Sequence, residues 1–174
     1  SLENKKIVVT ANKEVISKHK KEFFETAKKN DVDIYYEAAV GGGIPLIRAL
    51  KVGYAANKIS SFYGILNGTT NFILTKIQQE GKEFNDVLKE AQDKGFAEAD
   101  PTMDVSGLDS AYKLDILSAV VFKSDTQVNQ LYYEGIENIS LTDINYAQEL
   151  GYTIKLLAIA KQDNANKVGL RVHP

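Results

Sequence analysis

A chain of 174 residues with 44% hydrophobic side chains is long enough to bury a sizeable core and suits one domain, or one domain with part of another. Its 21 basic and 23 acidic residues are interspersed and leave a net charge of -2, which argues against nucleic acid or an anionic membrane as a partner, since either would need a clustered basic surface. There is no cysteine, no signal peptide, and no apolar run near the roughly 18 residues of a membrane span, so a reducing, cytoplasmic setting is the expectation.

Residues 5–10 form a β-branched run that reads as a buried strand ending at Thr10, Asn12 and Lys13. Residues 13–29 follow as a helix with Phe23, Phe24 and Ala27 inward, and residues 31–37 alternate into a second strand. Strand, helix and strand in so short a span make a βαβ unit with parallel strands. Ligands of open α/β sheets bind beyond the carboxyl ends of strands, which singles out residues 10–13 and 37–43.

The segment Glu37-Ala38-Ala39-Val40-Gly41-Gly42-Gly43-Ile44-Pro45 has two readings. It is a flexible strand-to-helix turn, or a loop whose carbonyls beside Glu37 hold a cation. The dinucleotide fingerprint G-x-G-x-x-G occurs nowhere in the chain. Residues 45–54 read as a helix and residues 58–66 as a strand. Asn67-Gly68-Thr69-Thr70-Asn71 then signals a turn, with Thr69 or Thr70 as N-cap of a helix that stops at Gly81. Free N–H groups and a threonine hydroxyl at that helix start could equally form an anion site.

Residues 84–94 are helical and stop at Gly95. The next stretch, Gly95-Phe96-Ala97-Glu98-Ala99-Asp100-Pro101 through Asp104, Ser106, Asp109 and Lys113, gathers four carboxylates and a lysine. Ser106 and Asp109 match a capping box, which predicts Ser106 as N-cap and Asp109 as the third helical residue. Asp109 and Lys113 share a helix face, either as an ordinary ion pair or as chemistry. The same stripe continues through Ile116, Leu117 and Val120, where lysines are rare. Ser140 to Asp143 is a second capping box before a helix to residue 150. Residues 152–160 and 168–172 read as strands of an antiparallel hairpin, and His173 stands apart from any second ligand. The fold class expected is α/β to α+β, a mixed β-sheet with helices packed on it plus an N-terminal βαβ unit.

Four blocks together resemble homoserine dehydrogenase: Val9-Thr10-Ala11-Asn12-Lys13, residues 37–45 as quoted, Gly64-Ile65-Leu66-Asn67-Gly68-Thr69-Thr70-Asn71-Phe72-Ile73, and Gly95 through Pro101 with Asp104, Asp109 and Lys113. The resemblance implies a NAD(P)-dependent interconversion of L-homoserine and L-aspartate 4-semialdehyde, leading to threonine and methionine, by a cytoplasmic homodimer. It implies that Lys113 handles the proton on the substrate oxygen, that Asp109 pairs with it, and that Lys13 is a second active-site lysine. Glu98, Asp104 and Thr69 would bind substrate, and Thr10, Asn12 and Lys13 would face the cofactor. Glu37 with the carbonyls of Val40, Gly42 and Ile44 would hold a monovalent cation, usually sodium.

Two departures from the family pattern stand out. Phe96 replaces a common tyrosine, and the chain starts inside the nucleotide-binding domain without its glycine-rich loop. The expected division is therefore a remnant of the dinucleotide-binding domain at 1–38 and a substrate-binding, catalytic and dimerisation domain at 39–174, with weak dinucleotide binding and poor turnover by the chain alone. Competing readings are a non-catalytic dimerisation module and a dehydrogenase of another amino-acid semialdehyde.

Overall fold

The computed structural model describes residues 1–174. Its elements in chain order are β1 (Val8–Val9), α1 (Lys13–Asn30), β2 (Ile34–Tyr35), α2 (Leu46–Arg48), β3 (Ser61–Gly64), α3 (Gly68–Glu80), α4 (Phe84–Asp93), α5 (Thr102–Val105), α6 (Leu108–Phe122), β4 (Tyr132–Tyr133), α7 (Leu141–Glu149), β5 (Leu157–Gln162) and β6 (Val168–His173). This is the mixed α/β architecture expected. Two short strands form one sheet, and four strands form another in the order β3-β5-β6-β4.

The chain packs as two compact units. One comprises Ser1–Phe62, Tyr112–Leu131 and Ala160–Leu170; the other comprises Tyr63–Ala111, Tyr132–Ile159 and Arg171–Pro174. These units are defined by packing, whereas the division expected at residue 38 is one by role.

In the first unit, β1 and β2 pair in parallel, Val8 with Ile34 and Val9 with Tyr35, and α1 connects them. The strands are shorter than the apolar runs suggest. Asn12 caps α1 by accepting the Val15 N–H at 3.0 Å, and Asp31 closes it at a left-handed φ of 53°. Helical geometry breaks at His19 (φ −120°, ψ 15°), just before Lys20, which is only 3% exposed. Lys20 Nζ lies 2.6 Å from both oxygens of Asp115, which is 0% exposed, and it also donates to the Thr126 carbonyl. Ser17 adds a hydrogen bond to Asp115 at 2.6 Å. Burial pushes the Asp115 carboxyl above its usual range, while Lys20 and Ser17 pull it back.

The expected helix over residues 45–54 is present over 46–53, as the single α-turn of α2 continued without a break by a wider π-helix over Ala49–Gly53. Glu37 caps α2, its two oxygens accepting the Ile47 N–H at 2.7 Å and the Arg48 N–H at 2.9 Å.

In the second unit, Ile73, Leu74 and Ile77 of α3 and Val87 and Ala91 of α4 are buried. Gly81 ends α3 as expected, but its N-cap is Asn67, not Thr69 or Thr70. Asn67 Oδ1 accepts the Thr70 N–H at 2.8 Å, as suits the better capping side chain. The Ser140–Asp143 capping box is present in both directions. The Ser106–Asp109 box is not. Residues 102–105 form their own turn, Ser106 stays helical (φ −74°, ψ −10°), and α6 starts at Leu108, its first turn closed by Ala111 N–H to the Gly107 carbonyl at 3.0 Å. Two further differences are β4, which had no strand signal, and β5, which starts at Leu157 rather than at residue 152. Parallel pairing of β4 with β6 joins Tyr132 to Arg171 and Tyr133 to Val172.

Lys20→Ala leaves Asp115 buried and uncompensated, and should cost about 3–5 kcal/mol. Joint replacement by Lys20→Met and Asp115→Leu should cost much less in thermal unfolding. Because the fold favours the protonated Asp115, the Lys20→Ala loss should shrink as pH falls and that carboxyl takes up its proton.

On the surface, Glu90 meets Lys76, Lys82 and Lys94, with Lys94 at 2.6 Å, and these lysines hold its carboxyl down at about 2 from 4.5. A lowered native value means the contribution is present above the usual carboxylate range and lost as pH falls toward 2. The melting-temperature difference between the parent and Glu90→Gln should therefore narrow as pH falls from about 4.5 to about 2, and should also narrow in high salt.

Candidate functional site

The start of α3, the short helix α5 and the start of α6 all lie in the second unit, and they bring the acidic stretch together around Asn67. Its Nδ2 donates to Asp104 Oδ1 at 2.6 Å and to Asp109 Oδ2 at 2.9 Å. Asn67 is 5% exposed and Asp109 4% exposed, while Asp104 is half-buried. Two carboxylates five residues apart thus face one donor group. Lys113 is half-buried one turn beyond Asp109 on α6, so the shared face expected of the two is the geometry of one continuous helix.

Glycine makes this convergence possible. Gly107, between α5 and α6, adopts φ 83°, and a Cβ there would stand 2.9 Å from the Glu134 carbonyl oxygen. A Cβ on Gly135 would lie 2.0 Å from the Val105 carbonyl oxygen, an impossible contact. Residues 134–136 therefore run backbone against backbone with the α5–α6 joint. Glu134 N–H donates to Val172 at 2.8 Å and Ile136 N–H to Val105 at 2.8 Å.

The loop before α5 is tied down as well. Gly95 turns out of α4 at φ 74°, and Gln92 donates to the carbonyls of Glu98 and Ala99 at 3.2 Å each. Thr69 donates its hydroxyl to the Phe96 carbonyl at 2.7 Å. That hydroxyl proton is committed, so an anion at this helix start would meet the backbone N–H groups and only the lone pairs of Thr69. Phe96, lacking a phenolic oxygen, stacks on Phe72 at 4.6 Å. Asp100 accepts from both the hydroxyl (2.6 Å) and the N–H (3.1 Å) of Thr102, which lowers its carboxyl and starts α5. Glu98 is exposed at the edge of this loop.

The remaining site residues expected from sequence belong to the first unit. The Thr10 hydroxyl accepts the Asn12 N–H at 3.1 Å, Asn12 caps α1, and Lys13 is the first residue of that helix, beyond the carboxyl ends of the parallel pair. In the glycine segment, Gly41 and Gly42 have φ of 80° and 58°, Val40 is fully buried and Ile44 is exposed. The Ile44 N–H donates to Gly41 at 3.0 Å, and its carbonyl accepts from Leu46 at 2.7 Å. Both Glu37 oxygens accept N–H groups from α2. No group of three or more His, Cys, Asp or Glu residues could hold a metal.

Sequence reasoning missed Asn67, Gly107 and Gly135. Asn67 was legible in principle, because asparagine outranks threonine as a cap and its amide keeps two donors to spare. Gly135 carries no local signal, since the backbone it touches lies thirty residues earlier in the chain.

The family model for homoserine dehydrogenase matches residues 45–174. A homoserine dehydrogenase of Neisseria gonorrhoeae is 48% identical across all of this chain and 40% of that protein, and one of Bacillus subtilis is 47% identical with the same coverage. Among solved structures, a homoserine dehydrogenase from Thiobacillus denitrificans agrees with a TM-score of 0.96 at 51% identity, over 99% of this chain and 40% of that one. One from S. aureus gives a TM-score of 0.85 at 42% identity. The chain spans about 40% of the length of the curated relatives it matches.

Gly135→Ala should push the α5–α6 joint off residues 134–136 and displace Asp104. The expected readout is a melting temperature well below the parent's, whereas Gly151→Ala, at a φ of 79° with open space around it, should cost only about 1 kcal/mol.

Proposed function

Because the chain belongs to the homoserine dehydrogenase family, we propose that it supplies the substrate-binding and proton-transfer region of a NAD(P)-dependent oxidoreductase. The reaction proposed interconverts L-homoserine and L-aspartate 4-semialdehyde. The observation that carries this reading is the convergence of Asp104 and Asp109 on Asn67, with Lys113 one turn along the same helix.

In the oxidative direction, the substrate hydroxyl loses its proton to the neutral Nζ of Lys113 as its carbon loses hydride. In the reductive direction, the ammonium form of Lys113 returns a proton to the carbonyl oxygen. Asp109 orients that lysine. Asp104 and Glu98 accept hydrogen bonds from the substrate ammonium, and the free N–H groups in the first turn of α3 receive its carboxylate.

A nicotinamide dinucleotide supplies the hydride acceptor. Thr10, Asn12 and Lys13 would line its nicotinamide end, which fits their place beyond the carboxyl ends of β1 and β2. Residues 1–38 are then part of a dinucleotide-binding domain, and residues 39–174 are the substrate-binding and dimerisation region. Glu37 with the carbonyls of Val40, Gly42 and Ile44 would hold a monovalent cation such as sodium.

No helix is long and apolar enough to cross a membrane, and a cytoplasmic biosynthetic role accords with that. A homodimer accords with the exposed aromatics Tyr63, Tyr132 and Tyr133 on β3 and β4.

In the complete gene product, Lys113→Ala should lower kcat for L-homoserine on the order of 10²–10⁴-fold while leaving the melting temperature close to the parent's. Turnover within about tenfold of the parent would favour a non-catalytic dimerisation module instead. A larger kcat/KM for another amino-acid alcohol than for L-homoserine would redirect the substrate assignment.

A further inference from the structure

The side-chain amide of Asn67 uses every hydrogen-bonding group it has. Both Nδ2 hydrogens are taken, by Asp104 at 2.6 Å and by Asp109 at 2.9 Å, and Oδ1 accepts the Thr70 N–H at 2.8 Å. Its backbone carbonyl also receives the Thr70 hydroxyl at 3.3 Å. This fixes the amide orientation, because the flipped form would aim Oδ1 at two carboxylate oxygens and leave Nδ2 facing an N–H.

The side chain is only 5% exposed, so water does not readily replace it. No other residue type offers the same set at this length. Serine gives one donor, aspartate adds a third negative oxygen, and glutamine places its amide one methylene farther out. A cap needs only the Oδ1 bond, and the two donor bonds go beyond that need.

We infer that Asn67 is a positioning residue whose amide clamps Asp104, which takes the substrate ammonium, and Asp109, which orients Lys113, into one rigid unit. This rests on the proposed function, since it assigns those carboxylates their tasks. The clamp couples binding to proton transfer. Loss of the two donors removes the link between the carboxylates, and two like charges brought close without that link move apart. Misplacing reactive groups by about 1 Å is enough to cost on the order of 10²-fold in rate.

The test uses the complete gene product with L-homoserine and NADP. Asn67→Ser keeps an N-cap acceptor and removes the double donor. It should raise KM for L-homoserine through Asp104 and lower kcat through Asp109, with kcat/KM falling on the order of 10²-fold and the melting temperature close to the parent's. Asn67→Asp, isosteric and also a cap, should lose more than the serine variant because it adds a charge to the pair. It is also the variant to measure if the serine protein does not fold.

Adding Asn67→Ser to Lys113→Ala should cost little further kcat, because the two act through one unit. A merely structural role would lower the melting temperature and multiply with Lys113→Ala. Kinetic parameters within about twofold of the parent in either single variant, or full multiplicativity in the double variant, would overturn the clamp. Should Lys113→Ala itself leave turnover intact, it is the catalytic assignment that falls. Collapse of Lys113→Ala beside a silent Asn67→Ser removes the clamp alone.

Discussion

Two carboxylates can share one corner of a protein only if something between them removes the reason to separate. Between Asp104 and Asp109 that something is a neutral amide, with both hydrogens aimed outward and its oxygen anchored in the first turn of α3. The amide links the two carboxylates without adding a charge of its own. The capping of α3 and the arrangement of the acidic residues are therefore one device, and the glycine-bent joint between α5 and α6 serves to deliver the second carboxylate to it.

Helix α6 shows the other solution to the same problem. Asp115 lies on it fully buried, and here an ammonium group does the neutralising, from Lys20 on α1, with help from the Ser17 hydroxyl. Such a pair satisfies itself and offers nothing to a ligand. Both aspartates are buried and both sit on α6, yet Asp115 bonds an ammonium and a hydroxyl from α1, whereas Asp109 bonds the amide that caps α3.

Much of this was legible from sequence where a single local rule governs. The parallel pairing of β1 with β2, the extent of α1 and α4, the glycine stop of α3 and the Ser140–Asp143 box all follow from hydrophobic period, cap chemistry and turn residues. The reading failed where two local rules competed. Ser106 fits a capping box as well as Ser140 does, yet the Asp100–Thr102 turn launches α5 just upstream, which carries Ser106 into helical geometry and hands the start of α6 to Gly107. The cap that the Glu37 carboxylate gives α2 is also beyond local spacing, because the N–H groups it meets lie ten and eleven residues on. The tasks of Asn67 depend on contacts across 37 and 42 residues, and that of Gly135 on the Val105 backbone about thirty residues earlier, so both leave almost no trace in the nearby sequence.

The joint where residues 134–136 pass the end of α5 is backbone on both sides. Most spacings in a folded protein can be adjusted by trading one side chain for a slightly larger or smaller one, and families drift by that means. This spacing has no side chain in it to trade. The distance from the β4–β6 edge to Asp104 is accordingly one dimension of the molecule that ordinary substitution cannot tune, so change around the acidic corner must come from residues that surround the joint and not from the joint itself.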